Sequence, residues 1–139
     1  MEITANALQT IEANQNVLFT DTVVCGNCSI IHRDGSGLVT LRGITNQCRA
    51  RFKVTFGGNI ALPTGGTVGE ISLAIAVNGE PVATTTMIET PAAVEEFSNV
   101  FSAIFLDVPA SCCSQISVRN TSDQAIDVQN ANLIVERVA

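Results

Sequence analysis

Between Phe101 and Val108 the chain is apolar on both faces of a strand. At strand period one face carries Phe101, Ala103 and Phe105, and the other carries Ser102, Ile104, Leu106 and Val108. A strand with one buried and one wet face should alternate apolar with polar. This stretch therefore predicts one face on its own core and the other on a second chain. Arg49–Phe56 shows the ordinary pattern. Ala50, Phe52, Val54 and Phe56 are expected to face in, and Arg49, Arg51, Lys53 and Thr55 out. Ile71–Val77 sets Ile71, Leu73, Ile75 and Val77 against Ser72, Ala74 and Ala76, a face of small residues that another element can approach closely. Asn78-Gly79 then predicts a hairpin, because a type I′ turn needs positive φ at both central residues. Val82–Ile88 is the expected return strand. Residues 112–119 alternate again, and Ile126–Val138 reads as a long last strand ending apolar on both faces.

Turn-formers punctuate the chain at Cys25–Cys28, Asp34–Gly37, Gly57–Asn59, Pro63–Gly66, Asn78–Pro81, Val108–Ala110 and Asn120–Asp123. Short strands at this spacing predict an antiparallel sandwich or barrel. Two segments resist a strand reading. Thr90–Glu96 has an N-cap residue followed by Pro, which suits one helical turn or a crossing loop. Met1–Ala13 suits a short amphipathic helix or a frayed first strand. The expected organisation is an N-terminal arm at 1–14 and one domain at 15–139.

Composition sharpens the case for assembly. Of 139 residues, 46% are hydrophobic and only 14% charged, where about a quarter is usual. No window approaches the roughly 18–20 apolar residues of a spanning helix. The start lacks a basic region followed by an apolar run, so no signal peptide is expected and synthesis in the cytoplasm is. The apolar surplus must then enter a core and subunit interfaces. Net charge is −6, which argues against phosphate-driven binding of nucleic acid. Arg42, Arg49, Arg51 and Lys53 form the one basic stripe, expected to be solvated or neutralised by neighbouring acids.

Candidate chemistry is sparse. Cys25 and Cys28 form a C-x-x-C, Cys48 stands alone, and Cys112 and Cys113 are adjacent. Core packing or structural thiols, disulfides, and a metal site all remain open, in that order. Adjacent strand residues point to opposite faces, so Cys112 and Cys113 do not readily share one tetrahedral metal. The odd number leaves a thiol free or joined between chains. His32, the only histidine, ends a strand without a nucleophile elbow or metal motif beside it. Asp34–Gly37 reads as a plain turn, lacking the spaced carboxylates of a calcium loop. Asp107 and Glu136 interrupt apolar strands and are expected to pair with arginines such as Arg119 or Arg137. No constellation suggests an enzyme, and no cofactor or metal is expected.

The order of strands resembles the tumour necrosis factor and complement globular-head superfamily. The resemblance spans residues 15–139. Its carriers are Asn16–Phe19, Arg49–Phe56, the Ile71–Val77 hairpin, the doubly apolar 97–108 strand and the terminal strand. The Tyr and Trp positions of that family are absent here. The resemblance implies an all-β antiparallel jelly-roll sandwich that forms a homotrimer. Phe97, Phe101, Phe105, Leu106, Leu133 and Val135 would then line the oligomer interface or core. Ile44–Arg51, Gly58–Gly66, Thr90–Glu96 and Val128–Arg137 further resemble small proteins of Firmicutes genomes and their prophages. Some relatives of that kind carry a collagen-like stalk, which this sequence lacks. That likeness implies a structural trimer on a phage virion, with capsid or other virion proteins as partners. A glycan- or host-binding head on a bacterial cell or spore surface is the alternative.

Overall fold

The computed structural model describes all 139 residues. Two antiparallel sheets face one another, and there is no α-helix. The first sheet contains β1 (Glu2–Ala5), β2 (Gln9–Ile11), β3 (Asp21–Val24), β6 (Arg49–Ala61), β10 (Ser98–Pro109) and β12 (Ile126–Arg137). Its strands run β10-β6-β12-β1-β3, with β2 also paired to β12. The second sheet contains β4 (Ile30–His32), β5 (Val39–Arg42), β7 (Ile71–Val77), β8 (Glu80–Pro81), β9 (Met87–Glu89) and β11 (Cys113–Asn120). Its order is β4-β5-β11-β7-β8, with β9 also on β7.

Strand alternation builds the core as expected. Ala50, Phe52, Val54 and Phe56 of β6 are fully buried. They meet Phe19, Leu41, Leu73, Ile116, Leu133 and Val135 in one cluster of 27 residues. Phe19 and Phe56 pack edge to face with ring centroids 6.4 Å apart, a geometry favoured by the aromatic quadrupole.

Two open readings are settled and one expectation is corrected. Residues 1–14 are no free arm, and of the two readings for Met1–Ala13 the first strand holds rather than the helix. Glu2–Ala5 pairs with β12 from Ile134 to Ala131, and β1 in turn carries β3. Ile3 and Ala5 alternate at strand period and are buried, which outweighs the weaker helical spacing that Leu8 suggested. At Thr90–Glu96 the loop reading holds over the helical turn, with bends and a turn only.

The Asn78-Gly79 turn has φ of 52° and 87°, as the hairpin reading required. Its return strand is broken, however, into β8, a 3₁₀ turn at Ala83–Thr85, and β9. In the gap, the Ile75 N–H donates to Thr85 Oγ1 and the Val82 N–H donates to the Ile75 carbonyl. A side chain thus replaces a ladder rung. Ala74 and Ala76 are fully buried within the one chain, so the small-residue face is no outlet for a partner.

Three loops at one end cross between the sheets and are zipped together by backbone. The Arg42 N–H donates to Ser29 O at 2.8 Å, and the Gly43 N–H to Cys112 O at 2.8 Å. The Ser111 N–H donates back to Gly43 O, and the Ala110 N–H to Cys48 O, both at 3.0 Å. Arg137 Nη1 donates to Ser29 Oγ and to the Ile44 carbonyl, tying β12 to two of these loops. Gly43 permits the closeness, since a Cβ there would stand 2.1 Å from the Pro109 carbonyl oxygen. Gly43→Ala is expected to lower unfolding free energy by roughly 1–3 kcal/mol through overpacking. Chemical denaturation of the two proteins measures the difference.

Candidate functional site

The outer face of the first sheet carries an apolar strip with polar ends. β10 is its edge strand, and its register on β6 sets Phe101 opposite Gly57, Ala103 opposite Thr55, Phe105 opposite Lys53 and Asp107 opposite Arg51. Gly57 offers no side chain to cover the ring beside it. Phe101 is 65% exposed and Phe105 60%. Ile134 of β12 sits beyond Thr55 on the same face and is partly exposed. On the inner side of β10, Ile104 and Leu106 are only half-buried where the sandwich opens at its edge. Apolar side chains therefore wrap both sides of an unpaired edge strand, the situation that invites association.

Polar groups close the strip at each end. At one end amides link strands: Asn99 Nδ2 donates to Asn59 Oδ1 at 3.2 Å, and Asn59 Nδ2 to Asn130 Oδ1 at 3.3 Å. At the other end Arg51 Nε donates to Asp107 Oδ1 at 2.8 Å, and Arg49 Nε to Asp107 Oδ2 at 3.0 Å. An apolar centre with a polar rim is the anatomy of an interface. The hydrogen bond from Arg51 holds the Asp107 carboxyl below its ordinary 3.8 and raises the Arg51 guanidinium.

Of the basic stripe, Arg49 and Arg51 are neutralised by Asp107, Lys53 lies in register with Glu136 without an ion pair, and Arg42 belongs to the second sheet and donates to the Cys28 carbonyl. The pairing of Asp107 with Arg119 or Arg137 is corrected. Arg119 donates to the Gly79 carbonyl, and Arg137 is committed to Ser29 and Ile44.

The other singled-out residues scatter. Leu133 and Val135 are fully buried in the core. Phe97 lies outside β10 and is 41% exposed. The expectation that the cysteines pack in the core is overturned: all five are exposed and none is disulfide-bonded. The His32 side chain is buried, and its Nε2 donates to the Ser36 carbonyl at 3.0 Å, which places the ring proton on Nε2. It braces the Asp34–Gly37 turn.

A feature the sequence reading missed lies at the end opposite the zipped loops. Residues 67–70, Ser72 and residues 121–124 border a cleft of about 700 Å³ with one hydrophobic residue in its lining. Gln124 clamps it by donating from Nε2 to Thr67 O and accepting from the Thr67 N–H. Asn120, fully buried, donates to the carbonyls of Ile11 and Gln124. Asn120–Asp123 gave only a turn signal. The clamp joins residues far apart in sequence, so no local pattern announces it.

Solved structures of other proteins share this architecture. The globular domain of zebrafish complement 1qA superposes with a TM-score of 0.63 at 12% identity, over 96% of this chain and 93% of that one. The fold is the C1q- and TNF-like jelly roll. Murine APRIL at pH 5.0 agrees, with a TM-score of 0.58 at 8% identity over 95% of this chain and 96% of the other. No protein-family model matches the sequence, and no curated protein matches it.

The Asp107 pairs are exposed, so their stabilisation is small and salt-screened. A carboxylate whose pKa is lowered on folding stabilises above its unfolded pKa and loses that effect as pH falls through the folded one. Asp107→Asn is therefore expected to lower Tm slightly at neutral pH and low salt. The gap to the parent protein should close below pH 3.8. Parallel melts across pH measure it.

Proposed function

We propose that this chain is a non-enzymatic head that assembles as a homotrimer through the outer face of the first sheet and decorates a larger particle, a phage virion. The observation that carries the reading is the exposed Phe101–Phe105 strip on an unpaired edge strand. Leaving two such rings in water is costly, since burying one contributes about 1.5–3 kcal/mol. A closed ring of copies covers the strip in every subunit and leaves no free surface for unlimited growth. The C1q- and TNF-like architecture supports this reading, and so does the polar rim that ends the strip at Asn59 and Asp107.

The cleft favours a second reading, a head that binds glycans or a host surface. Thr67, Ser72 and Thr121 supply hydroxyls there, and Glu70 and Asp123 supply carboxylates, the donors and acceptors that sugar hydroxyls use. Hits on a glycan array that vanish in Asp123→Ala would favour this reading, and a blank array would count against it.

Sedimentation at micromolar concentration is expected to show a species near three times the 14.6 kDa of one chain. The double substitution Phe101→Ser/Phe105→Ser should return it to one chain mass with unchanged circular dichroism. A parent protein that sediments as a stable monomer sinks the trimer.

A further inference from the structure

Cysteine is among the most often buried residue types, yet here all five are exposed. They are also gathered. Cys25 and Cys28 lie in the loop between β3 and β4, Cys48 in the loop between β5 and β6, and Cys112 and Cys113 where β10 returns into β11. These are the three zipped loops. Cys113 pairs in register with Arg42, and Arg42 Nη1 donates to the Cys28 carbonyl at 3.3 Å. The Cys48 and Cys112 carbonyls each accept a backbone bond from a neighbouring loop. One pole of the sandwich therefore carries every thiol of the chain on a pinned surface.

The pinning matters. Loops tied by backbone hydrogen bonds and by the Arg137 staple hold the five free thiols at one pole, and the odd number leaves one unpaired in any intrachain arrangement. No three Cys, His, Asp or Glu side chains are grouped to hold a metal ion. Two copies meeting pole to pole by a two-fold axis would set the same thiols opposite themselves, so any cysteine near the axis faces its own equivalent. We propose that this pole is a covalent coupling surface, at which thiols of two copies of the chain join through intermolecular disulfides. It is distinct from the Phe101–Phe105 strip, whose rings lie further along β10.

The step needs an oxidant, and a low-molecular-weight disulfide suffices. One protein thiolate attacks that disulfide, forms a mixed disulfide and releases one small thiolate. The thiolate of the second copy then attacks the mixed disulfide, forming the protein–protein bond and releasing the second small thiolate. Two protein thiols lose two electrons and two protons, and the oxidant becomes two thiols.

The test incubates the full chain with oxidised and reduced glutathione and follows it by non-reducing gel and peptide mass spectrometry. Dimers and larger species reversible by dithiothreitol are expected, with linked peptides containing Cys25, Cys28, Cys48, Cys112 or Cys113. The variant with all five changed to serine should keep its circular dichroism and lose every covalent species. Cys113 restored alone in that background should couple faster than a Thr67→Cys control at the opposite pole. Phe101→Ser/Phe105→Ser should still couple, which separates this proposal from the fate of the trimer. Only glutathione adducts, only intrachain disulfides, or equal rates for Cys113 and the Thr67→Cys control would overturn it.

Discussion

The pairing of β10 with β6 is the constraint on which the rest depends. It runs unbroken from Ser98 opposite Ile60 to Pro109 opposite Arg49. Antiparallel strands alternate their side chains strictly, so a one-residue slip would turn every side chain of β10 to the other face. The register is held by what β6 must bury. With Phe52, Val54 and Phe56 inside, β10 has to present Val100, Ile104 and Val108 inward and Phe101 and Phe105 outward. The exposed strip is a direct consequence of a well-packed interior.

The same register organises the two ends. It brings Asp107 beside Arg51 and Asn99 beside Asn59, so that the strip ends in polar groups at both limits. It also aligns the start of β6 with the end of β10, which sets Cys48 next to Ala110 and the thiol-bearing loops against one another. At the opposite end it leaves the 67–70 and 121–124 loops to border the polar cleft. A sandwich of this kind has three separable surfaces: a sheet face, a thiol pole and a loop cleft. Each carries a different chemistry on one rigid frame, and function is argued from such sites rather than from the fold that hosts them.

Much of the frame was legible in sequence, because its signals are local. The inward set of β6 and the positive φ at Asn78 and Gly79 both follow from spacings of one or two residues. So does the double apolarity of β10. What stayed open or was missed has a common cause as well. Between the helix and the first strand that Met1–Ala13 allowed, the strand won because β12 offered it a partner more than a hundred residues away. Thr85 replaced a ladder rung because β8 ended early. Gly43 is indispensable only because Pro109 approaches it from another strand. None of these partners is visible from the residues beside it.

The amino-acid sequence by itself determined that the protein is all-β, which faces of its strands are apolar, and that more apolar surface exists than one thin core requires. Tertiary structure alone decided where the surplus goes. Ala74 and Ala76 are covered by their own chain, Leu133 and Val135 are core, and Phe101 and Phe105 remain in water. It also decided that five cysteines from three separate stretches share one exposed pole. The physical reason is that strand periodicity acts between neighbours in sequence, whereas burial depends on which strand lies alongside. That is set by long-range ladders whose register no local pattern records.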